Sequence, residues 1–382
     1  MTRSAQPRAI RLAAALALAA AACARPAPEP RLRVGTSGDY PPFSVAGAGF
    51  DVDLARRLAA DLGFEVELVA FRWPELETRV GAGDFDVVMS GVTWRPWRAV
   101  DGYMTRAVAV GGPCVVGRPE AGRVAVNRGG VLERFARAHF GAERVLAVDR
   151  NQELGALLAR GAVAAVVTDS FELSHLGVDG LPHRCEPAVD RKVLWVAPTR
   201  AATLGPVLDD WLGRHEAVLQ ALRARWLGDA APRTELDHLL DLLARRLALA
   251  PAIAAWKRAR GLPIEDPARE ERVVESAVAH ARGAGLATEP VAALFQLQIQ
   301  LGKRIQADAV VAEAPGPPLD LPTRLRPELE RLGRRIVASA AVVAPTDAAA
   351  LDAADWTPLR VWLESAERER LRAALLALRR GD

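Results

Sequence analysis

Short apolar runs alternate with amphipathic helical segments along roughly the first 230 residues of the chain. The runs are five to seven residues long and most are rich in valine, which is typical of buried strands. Predicted strands cover residues 32–36, 66–71, 85–91, 123–127 and 164–169, and predicted helices cover 49–62 and 73–83. This alternation predicts an α/β domain with mostly parallel sheets.

From Thr234 onward the apolar positions follow a helical period. Residues 234–237 have the form of a capping box, and Pro251 predicts a bend because proline removes an intrahelical hydrogen bond. The predicted helices run from 234 to about 260, from 267 to about 283, from about 290 to 306 or beyond, over about 326–340 and over about 357–380, with a linker at 314–323. This part is therefore predicted to be all-α.

The length of 382 residues and the change of pattern predict two domains, 31–230 and 231–382, the second with a C-terminal helical extension. Half of the residues are hydrophobic and a quarter are charged, as in globular domains with proper cores. The net charge of +3 is small and spread along the chain, and no basic run is interleaved with aromatic residues. A nucleic-acid partner is therefore not expected.

The N-terminus has the form of an export signal. Three arginines precede an apolar stretch at residues 12–22 that is too short to span a membrane and ends in small residues. One interpretation is a lipoprotein signal over 1–22, with Cys23 lipidated and residues 23–30 as a tether to the membrane. The other is an ordinary cleaved signal peptide, because Ala20 stands where lipoprotein signals usually have leucine. Both predict a periplasmic or otherwise exported protein.

Only Cys114 and Cys185 remain in the mature chain after such processing. An even pair of cysteines in an oxidising compartment favours a disulfide. It would close a loop of about 70 residues and stabilise the fold by roughly 4 kcal/mol. The alternative is two buried thiols.

A cluster of charges stands out in the second domain because the chain holds only three lysines against 47 arginines. One of them, Lys257, lies eleven residues after Arg246, about three helical turns, so both side chains share a face. Arg269 and Glu270 fall in the opening turn of the next predicted helix. Cations that converge from two helices could bind a small dianion, whereas the plain alternative is an arginine-rich solvated hairpin.

The motifs ARRLALA, LPIEDPARE and LFQLQIQLGKRIQ, together with the spacing of Lys257, resemble the all-α chorismate mutases of the exported subclass over about residues 232–310. That reaction is a unimolecular rearrangement and needs substrate positioning and charge stabilisation alone. The resemblance implies that Arg246 and Arg269 bind carboxylates. It also implies that Lys257 and Gln306 donate to the ether oxygen and that Glu270 accepts from the ring hydroxyl.

Two positions of this domain need separate mention. Gly302 stands where those mutases carry serine or threonine, so a hydroxyl is absent four residues before Gln306. Exported relatives supply a further arginine late in the chain. The segment LERLGRRIV makes Arg335 the candidate, with Arg334 next; the alternative is a surface arginine.

The first domain resembles the two-lobed periplasmic amino-acid-binding proteins (type II) in VGTSGDYPPFS, GFDVDLARRLA, FDVVMSGVTWRPWR and AVVTDSFE. The segments NRGGVLERFARAHF (127–140) and TDSFE are more similar still to cyclohexadienyl dehydratase, an exported enzyme that converts prephenate or arogenate into phenylpyruvate or phenylalanine. The expected architecture is thus a two-lobed α/β domain followed by an all-α chorismate mutase domain.

In such folds the ligand lies in the cleft between the lobes. The resemblance implies that Arg98 binds a substrate carboxylate, for which a guanidinium is well suited. The other candidate contacts are Ser90 and Thr93 as donors, Tyr40 and Trp94 beside the ring, and Asp169. Asp169 would meet an amino group in amino-acid binders, or it only caps a helix. Tyr40 and Trp94 could equally be packing residues.

Glu172 is the candidate general acid, because loss of the ring hydroxyl requires a proton on the leaving oxygen. A carboxyl group enclosed in a cleft can have its pKa raised enough to be protonated near neutral pH. The alternative is a solvated helix glutamate. Val131 and Leu132 replace the Thr-Asn pair of the dehydratases, so a hydroxyl and an amide are missing from the loop that faces the ligand.

These expectations combine into an exported bifunctional enzyme of phenylalanine formation that acts on chorismate and on prephenate or arogenate, with no cofactor and no metal. One rival is a solute-binding protein for an amino acid with a mutase attached. A second rival is a mutase whose first domain is degenerate. The sequence leaves open the preference between prephenate and arogenate, the oligomeric state (a homo-oligomer included) and channelling between the domains.

Overall fold

The computed structural model describes residues 30–178, 180–187, 189–229, 231–309 and 317–381. The predicted signal peptide, Cys23 and nearly all of the predicted tether lie outside these ranges. No helix in the described ranges combines the length and the apolar character needed to cross a membrane.

The first domain consists of two lobes, each built on a five-stranded sheet. In the first lobe the order is β4-β1-β5-β12-β6, with β1 Arg31–Thr36, β4 Glu65–Ala70, β5 Val87–Val88, β6 Tyr103–Gly111 and β12 Asp190–Val196. In the second lobe the order is β11-β7-β10-β8-β9, with β7 Pro113–Gly117, β8 Val124–Asn127, β9 Val145–Val148, β10 Ala165–Asp169 and β11 His183–Cys185. A small hairpin pairs β2 Asp39–Tyr40 with β3 Ser44–Val45.

Helices cover the faces of both sheets. The helices of this domain are α1 Phe50–Leu62, α2 Leu76–Ala82, α3 Pro96–Ala99, α4 Val131–Phe140, α5 Glu153–Ala159, α6 Leu204–Arg214 and α7 Glu216–Leu227. Helix α1 shows why they pack: Leu54 and Leu58 recur on one face and lie fully buried against Leu32 of β1. Each such leucine contributes about 2 kcal/mol by leaving water.

The prediction of mostly parallel sheets is wrong. Strands β1, β4 and β5 pair in parallel, as do β8, β9 and β10, but β12 runs antiparallel to β5 and β6, and β7 runs antiparallel to β10 and β11. The chain crosses between the lobes after β6 and again before β12. After each crossing, a strand enters its sheet antiparallel to the neighbouring strands. This could not be predicted, because a pattern of apolar residues carries no information on strand direction.

The second domain is all-helical. Its helices are α8 Glu235–Ala248, α9 Ala250–Arg258, α10 Pro267–Gly283, α11 Thr288–Asp308, α12 Arg326–Val343, α13 Ala348–Ala353, α14 Thr357–Arg360 and α15 Ser365–Leu376. The predicted bend is a break at Leu249, two residues before Pro251. Two expectations are wrong. The end of the predicted linker at 314–323 belongs to a π-helical turn, Leu321–Leu325, that leads into α12. The last predicted helix is two helices, α14 and α15, and α13 precedes them.

The two domains share an interface with many arginines. Arg245 of α8 donates to the carbonyl of Thr105 at 2.8 Å, and Arg106 of β6 pairs with Glu235 at 2.8 Å. Trp97, which belongs to the first domain by sequence, is part of the apolar core of the second. The helical domain is therefore fixed to the first lobe by both polar and apolar contacts.

Candidate functional sites

A cleft between the two lobes forms the first candidate site, called the interlobe cleft below. It is lined by Tyr40, Trp73, Gly91, Thr93, Arg98, Asn127, Gly130, Val131, Leu132, Asn151, Glu172 and Lys192. Both lobes contribute side chains, because the loops that follow β5, β8 and β10 open on the same side. Four of the predicted residues, Tyr40, Thr93, Arg98 and Glu172, thus meet in one site.

Glu172 is held inside the cleft by the end of β10. Asp169 caps the 3₁₀ turn Ser170–His175 by accepting the N–H of Phe171, and this turn carries Glu172, which is only 2% exposed. Asn151 Nδ2 donates to one carboxyl oxygen and Thr168 Oγ1 to the other at 2.7 Å. Burial nevertheless raises the pKa of Glu172 to about 8, because desolvation outweighs the two donors. The carboxyl is therefore protonated at neutral pH and can give up a proton.

Lys192 lies in the cleft although the sequence analysis did not select it. Its Nζ donates to Asp169 Oδ2 at 2.6 Å, to Thr93 Oγ1 at 3.0 Å and to Tyr40 Oη at 3.2 Å. A lysine inside the apolar strand β12, in a chain with three lysines, was the signal that could have revealed it. A buried ammonium needs partners of this kind because its desolvation is costly.

Arg98 also lines the cleft and is 2% exposed. Its Nε donates to Glu77 Oε1 at 3.2 Å and its Nη1 to the carbonyl of Thr93 at 3.3 Å. Burial lowers the pKa of Arg98 to about 10, and the carboxylate of Glu77 acts in the opposite direction. The guanidinium still carries its charge at neutral pH and can bind an anionic ligand group.

Three other residues that were predicted to contact the ligand do not line the cleft. The ring of Trp94 packs against Arg245 of the helical domain, so Trp73 rather than Trp94 is the tryptophan of the cleft. Ser90 bonds to Ser37 at 2.9 Å and does not line the cleft. Asp169 is fully enclosed: it caps the turn, as the alternative interpretation expected, and it also pairs with Lys192.

Val131 and Leu132 line the cleft at the start of α4. The substitutions noted in the sequence therefore face the site itself, and they replace polar groups by apolar surface there. Hydrogen bonds to a ligand must consequently come from other residues, and Tyr40 and Thr93 are the hydroxyl-bearing side chains among the described lining residues.

The second candidate site, called the helical pocket below, lies among α8 to α12. Seven residues identified by sequence line this one pocket: Arg246, Lys257, Arg269, Glu270, Gly302, Gln306 and Arg334. Further charged residues at its wall are Asp266, Arg272, Lys303, Arg326 and Glu330. Cations outnumber carboxylates, so the pocket suits a small ligand with more than one negative charge.

Arg246 and Lys257 contribute the cations of the first two helices. Burial lowers the pKa of Arg246 to about 10, and its Nε is enclosed without a hydrogen-bond partner in the described part of the chain. Lys257 Nζ donates to the carbonyl of Ile264 at 2.5 Å. Burial lowers the pKa of Lys257 and the nearby carboxylates of Asp266 and Glu270 oppose the shift. Arg246 thus retains donor capacity for a ligand.

The remaining predicted residues already bind other protein groups, and a ligand would have to replace or rearrange these contacts. Arg269 pairs with Glu330 at 2.8 Å, and Glu270 accepts from Lys303 at 3.1 Å. Gln306 Nε2 donates to the carbonyl of Gly302 at 3.2 Å. The other amide atom, Oε1, is buried without a hydrogen-bond partner among the described residues.

The placement of Arg335 in this pocket is wrong. Arg335 instead donates to the carbonyl of Met104 at 2.8 Å and to both carboxyl oxygens of Asp209 at 3.1 Å, at the domain interface. The carboxylate of Asp209 holds the pKa of Arg335 above its usual range despite burial. Arg334 lines the helical pocket instead, because successive residues of a helix point about 100° apart.

Cys114 and Cys185 form a disulfide between neighbouring strands of the second lobe. They lie opposite each other in the register of β7 and β11. No group of three or more histidine, cysteine, aspartate or glutamate side chains in the described ranges has a geometry suited to a metal ion.

Comparison with known proteins places both sites in families. Residues 32–241 match the bacterial extracellular solute-binding proteins, family 3, and residues 236–307 match chorismate mutase type II. Cyclohexadienyl dehydratase of Pseudomonas aeruginosa is 34% identical over 160 residues, which cover 37% of this chain and 60% of that protein. The secreted chorismate mutase of Yersinia pestis is 36% identical over 86 residues, which cover 22% of this chain and 41% of that protein.

A solved structure of an ancestral amino acid-binding protein, described as a precursor of cyclohexadienyl dehydratase, is 26% identical. It covers 52% of this chain and 95% of its own, with a TM-score of 0.45. The chain spans 60% of the length of the curated dehydratase that it resembles. Since the first family match extends over more than half of the 382 residues, the chain belongs to family 3 of the bacterial extracellular solute-binding proteins, and it continues into a type II chorismate mutase domain.

Proposed function

We propose that the chain is an exported bifunctional enzyme that converts chorismate to prephenate in the helical pocket and dehydrates prephenate or arogenate in the interlobe cleft. The products of the second step are phenylpyruvate or phenylalanine. The observation that carries the proposal is Glu172, a buried carboxyl whose pKa of about 8 keeps it protonated inside the cleft of a solute-binding fold. A protonated carboxyl in the cleft can deliver the proton that a dehydration requires, which the binding of an amino acid does not need.

The helical pocket supports the mutase step through positioning and charge. Chorismate has two carboxylates, and Arg246 and Arg269 stand on different helices at the pocket wall. Negative charge grows on the ether oxygen as its bond to the ring breaks, and donors fixed before the reaction stabilise that charge. Lys257 and Gln306 are the proposed donors, and Glu270 would accept from the ring hydroxyl.

The cleft supports the second step through one proton transfer. The ring carboxylate leaves as carbon dioxide, and the electrons of the broken carbon–carbon bond complete the aromatic ring. The ring carbon–oxygen bond breaks, and the leaving oxygen takes the proton of Glu172 and departs as water. Arg98 would bind the carboxylate that is retained. One proton enters for each turnover, so Glu172 must be reprotonated from solvent.

Location outside the cytoplasm is consistent with the relatives, which are described as extracellular or secreted. We propose that residues 1–22 are the signal peptide and that lipidation of Cys23 anchors the protein to a membrane. The domain limits at 31–230 and 231–382 remain predictions, since the two family matches overlap at residues 236–241 within α8.

The rival function for the first domain is amino-acid binding without turnover, and the second rival is a degenerate domain. The test is to incubate purified mature protein with chorismate and to follow chorismate, prephenate and phenylpyruvate over time. We expect prephenate to appear transiently and phenylpyruvate to accumulate. Prephenate as the sole end product at neutral pH would refute the dehydratase assignment and leave the mutase assignment intact.

A further inference from the structure

The carboxylate of Asp169 is fully occupied by protein groups. Its Oδ1 accepts the N–H of Phe171 at 3.1 Å, and its Oδ2 lies 2.6 Å from Lys192 Nζ. Asp169 has no exposed surface and does not line the interlobe cleft, whereas Lys192 does. A ligand in the cleft therefore meets the ammonium group rather than the carboxylate.

The contacts of Lys192 also determine what the neighbouring hydroxyls offer to a ligand. Its Nζ donates to Thr93 Oγ1 at 3.0 Å and to Tyr40 Oη at 3.2 Å, in addition to Asp169. An ammonium group has three donors and no acceptor, and a hydroxyl has a single O–H donor. Because both hydroxyls accept from Lys192, each keeps its own O–H to donate. The O–H of Tyr40 donates to Asp169, whereas that of Thr93 remains for a ligand, and both residues line the cleft.

The charged groups that line the cleft also favour ligand oxygens over a ligand ammonium group. Arg98 and Lys192 are cations, and Glu172 is the one acidic side chain among the described lining residues. The oxygens of Glu172 already accept from Asn151 and Thr168. The cleft thus presents donors and positive charge to ligand oxygens and no free carboxylate to an ammonium group. A third cation in a site withdrawn from water would be strongly disfavoured.

We propose that the interlobe cleft selects 2-oxo acids over the corresponding 2-amino acids, and that Lys192 sets this preference by occupying Asp169. Prephenate carries a keto oxygen where arogenate carries an ammonium group, so prephenate is the preferred substrate. The naming of these substrates rests on the proposed dehydratase function. The preference itself is a property of binding and can be measured without turnover.

The first experiment uses unaltered mature protein and the matched pair phenylpyruvate and phenylalanine, with binding measured by titration calorimetry. We expect phenylpyruvate to bind at least tenfold more tightly. In parallel, kcat/KM for prephenate should exceed that for arogenate at least tenfold. Equal or tighter binding of phenylalanine, absence of phenylpyruvate binding, or equal turnover of the two substrates overturns the proposal. A tenfold binding preference without turnover of either substrate supports the proposal and refutes the dehydratase function.

The second experiment identifies the residue responsible. Lys192→Met frees the carboxylate of Asp169, so the binding ratio should move toward phenylalanine by tenfold or more. Arg184→Met is the matched control, because it removes an exposed cation of the second lobe and should leave the ratio unchanged. If the ratio of the two affinities is unchanged in Lys192→Met, other residues set the preference, and the proposed role of Lys192 is overturned.

An unpaired buried Asp169 could prevent Lys192→Met from folding, so a double variant is needed. Lys192→Met with Asp169→Asn removes both charges and leaves no buried ion without a partner. The double variant lacks the Lys192 cation but offers no carboxylate to an ammonium group, and Arg98 remains, so the preference for phenylpyruvate should fall by about threefold or more without reversing. A double variant whose preference equals that of the unaltered protein contradicts the role of Lys192, whatever the single variant does.

Discussion

Glu172 accepts hydrogen bonds from Asn151 and Thr168, and donors of this kind normally favour the ionised form of a carboxyl. Its pKa is raised all the same, because the side chain is almost completely removed from water and Asp169 stands nearby as a second acid. The two donors therefore fix the orientation of the carboxyl, while burial decides its protonation state. An acid with this environment is suited to protonate a leaving hydroxyl near neutral pH.

Glu172→Gln should reduce prephenate turnover about 100-fold or more, the usual scale for a general acid. The unaltered enzyme needs the protonated carboxyl, which is present below a pKa of about 8 and lost above it. Its turnover should therefore fall as the pH rises through about 8. The measurement is a pH profile of phenylpyruvate formation, with Glu153→Gln as the control, because Glu153 is an accessible glutamate of the same lobe. Mutase activity in the same preparation reports folding, and full turnover by Glu172→Gln would remove this residue from the mechanism.

Two neighbouring arginines of α12 should give opposite results. Arg334 lines the helical pocket, so Arg334→Met should lower mutase kcat/KM about 10- to 100-fold with little effect on stability, as expected for one lost charged contact. Arg335 is buried against Asp209, so Arg335→Met should destabilise the fold by about 3 kcal/mol, because Asp209 keeps only the more distant cation of Arg106, at 4.0 Å. Chorismate kinetics and urea unfolding of both variants make the comparison. A larger loss of mutase activity in Arg335→Met at a temperature where it is folded would reverse the assignment.

The residue scale shows where prediction from sequence succeeds and where it fails. Glu172, Arg246 and Lys257 were located because short motifs fix both identity and spacing. Trp94 and Arg335 were misplaced because their orientation depends on how the two domains dock, and no local pattern encodes this. Lys192 was missed because its role arises from three partners that lie far apart in sequence.

At the scale of elements, α11 brings Gln306 to the pocket with Gly302 one turn earlier on the same face. A Cβ atom at Gly302 would lie in open space, so the helix leaves room for a small side chain at this position. The amide of Gln306 donates to the Gly302 carbonyl, and its oxygen has no hydrogen-bond partner among the described residues. To donate to a substrate, the amide must exchange this carbonyl for the ligand.

Gln306→Glu should make the mutase depend on pH. A glutamine amide donates at any pH, whereas a glutamate can donate to the ether oxygen only when protonated. We expect the mutase activity of the unaltered protein to be roughly constant from mildly acidic to mildly alkaline pH, and that of the variant to fall as the pH rises. Lys257→Ala should cost several kcal/mol in the barrier at all pH values. The measurement is chorismate disappearance against pH, and a flat profile for Gln306→Glu would show that Gln306 does not face the ether oxygen.

The disulfide ties β7 to β11 across 71 residues of sequence. Reduction should lower the stability of the protein by about 4 kcal/mol on the chain-entropy account. Thermal melts with and without reductant measure the effect, and alkylation of unreduced protein should label neither Cys114 nor Cys185. A Cys114→Ala/Cys185→Ala variant is the control, since reductant should not change its melting temperature. Two reactive thiols in protein purified from an oxidising compartment would contradict the pairing.

Long periodic elements were predictable and short ones were not. The helices at 267–283 and near 290–306 follow from amphipathic repeats that are bounded by proline. The strand predicted over 85–91 shrinks to β5, Val87–Val88, because residues after it turn away to form the cleft loop. The linker was predicted over the proline-rich residues 314–323, although its end belongs to a helical turn in which Leu321 and Leu325 are both buried.

For the whole molecule, the interface between the domains combines apolar and ionic contacts. Trp97 is inserted into the core of the helical domain, and Arg191 pairs with Asp241 of α8 at 3.4 Å. Buried ion pairs are costly to separate, because each partner would remain charged and desolvated. The two domains should therefore not unfold independently, although their folds are unrelated.

Calorimetry of the full mature chain should show a single unfolding transition. Arg245→Met removes the contact to the Thr105 carbonyl and leaves Asp241 with one partner fewer, so it should split the transition into two or broaden it markedly. Arg372→Met is the control, because it breaks a surface pair within the helical domain alone. Two separate transitions in unaltered protein would show that the interface contributes little to stability.

The types of the two folds were predictable from the sequence, because segments that alternate between strand and helix give way near Thr234 to helical segments alone. The docking of the domains was not. It depends on pairs such as Arg335 with Asp209, which are 126 residues apart, in a chain with 47 arginines. Among so many arginines, sequence alone offers no means to choose those that face the interface.

At two positions of the chain, a residue of the domain interface is directly followed by a residue of a candidate site. Arg245 binds the first lobe while Arg246 lines the helical pocket, and Arg191 binds α8 while Lys192 lies in the interlobe cleft. Inserting one residue would rotate the following part of a helix by about 100° and of a strand by about 180°. Such an insertion would displace a side chain of a candidate site and an interface contact at once. During evolution, α8 and β12 should therefore tolerate substitutions but keep a fixed length, and changes in length should be confined to the segments that connect them.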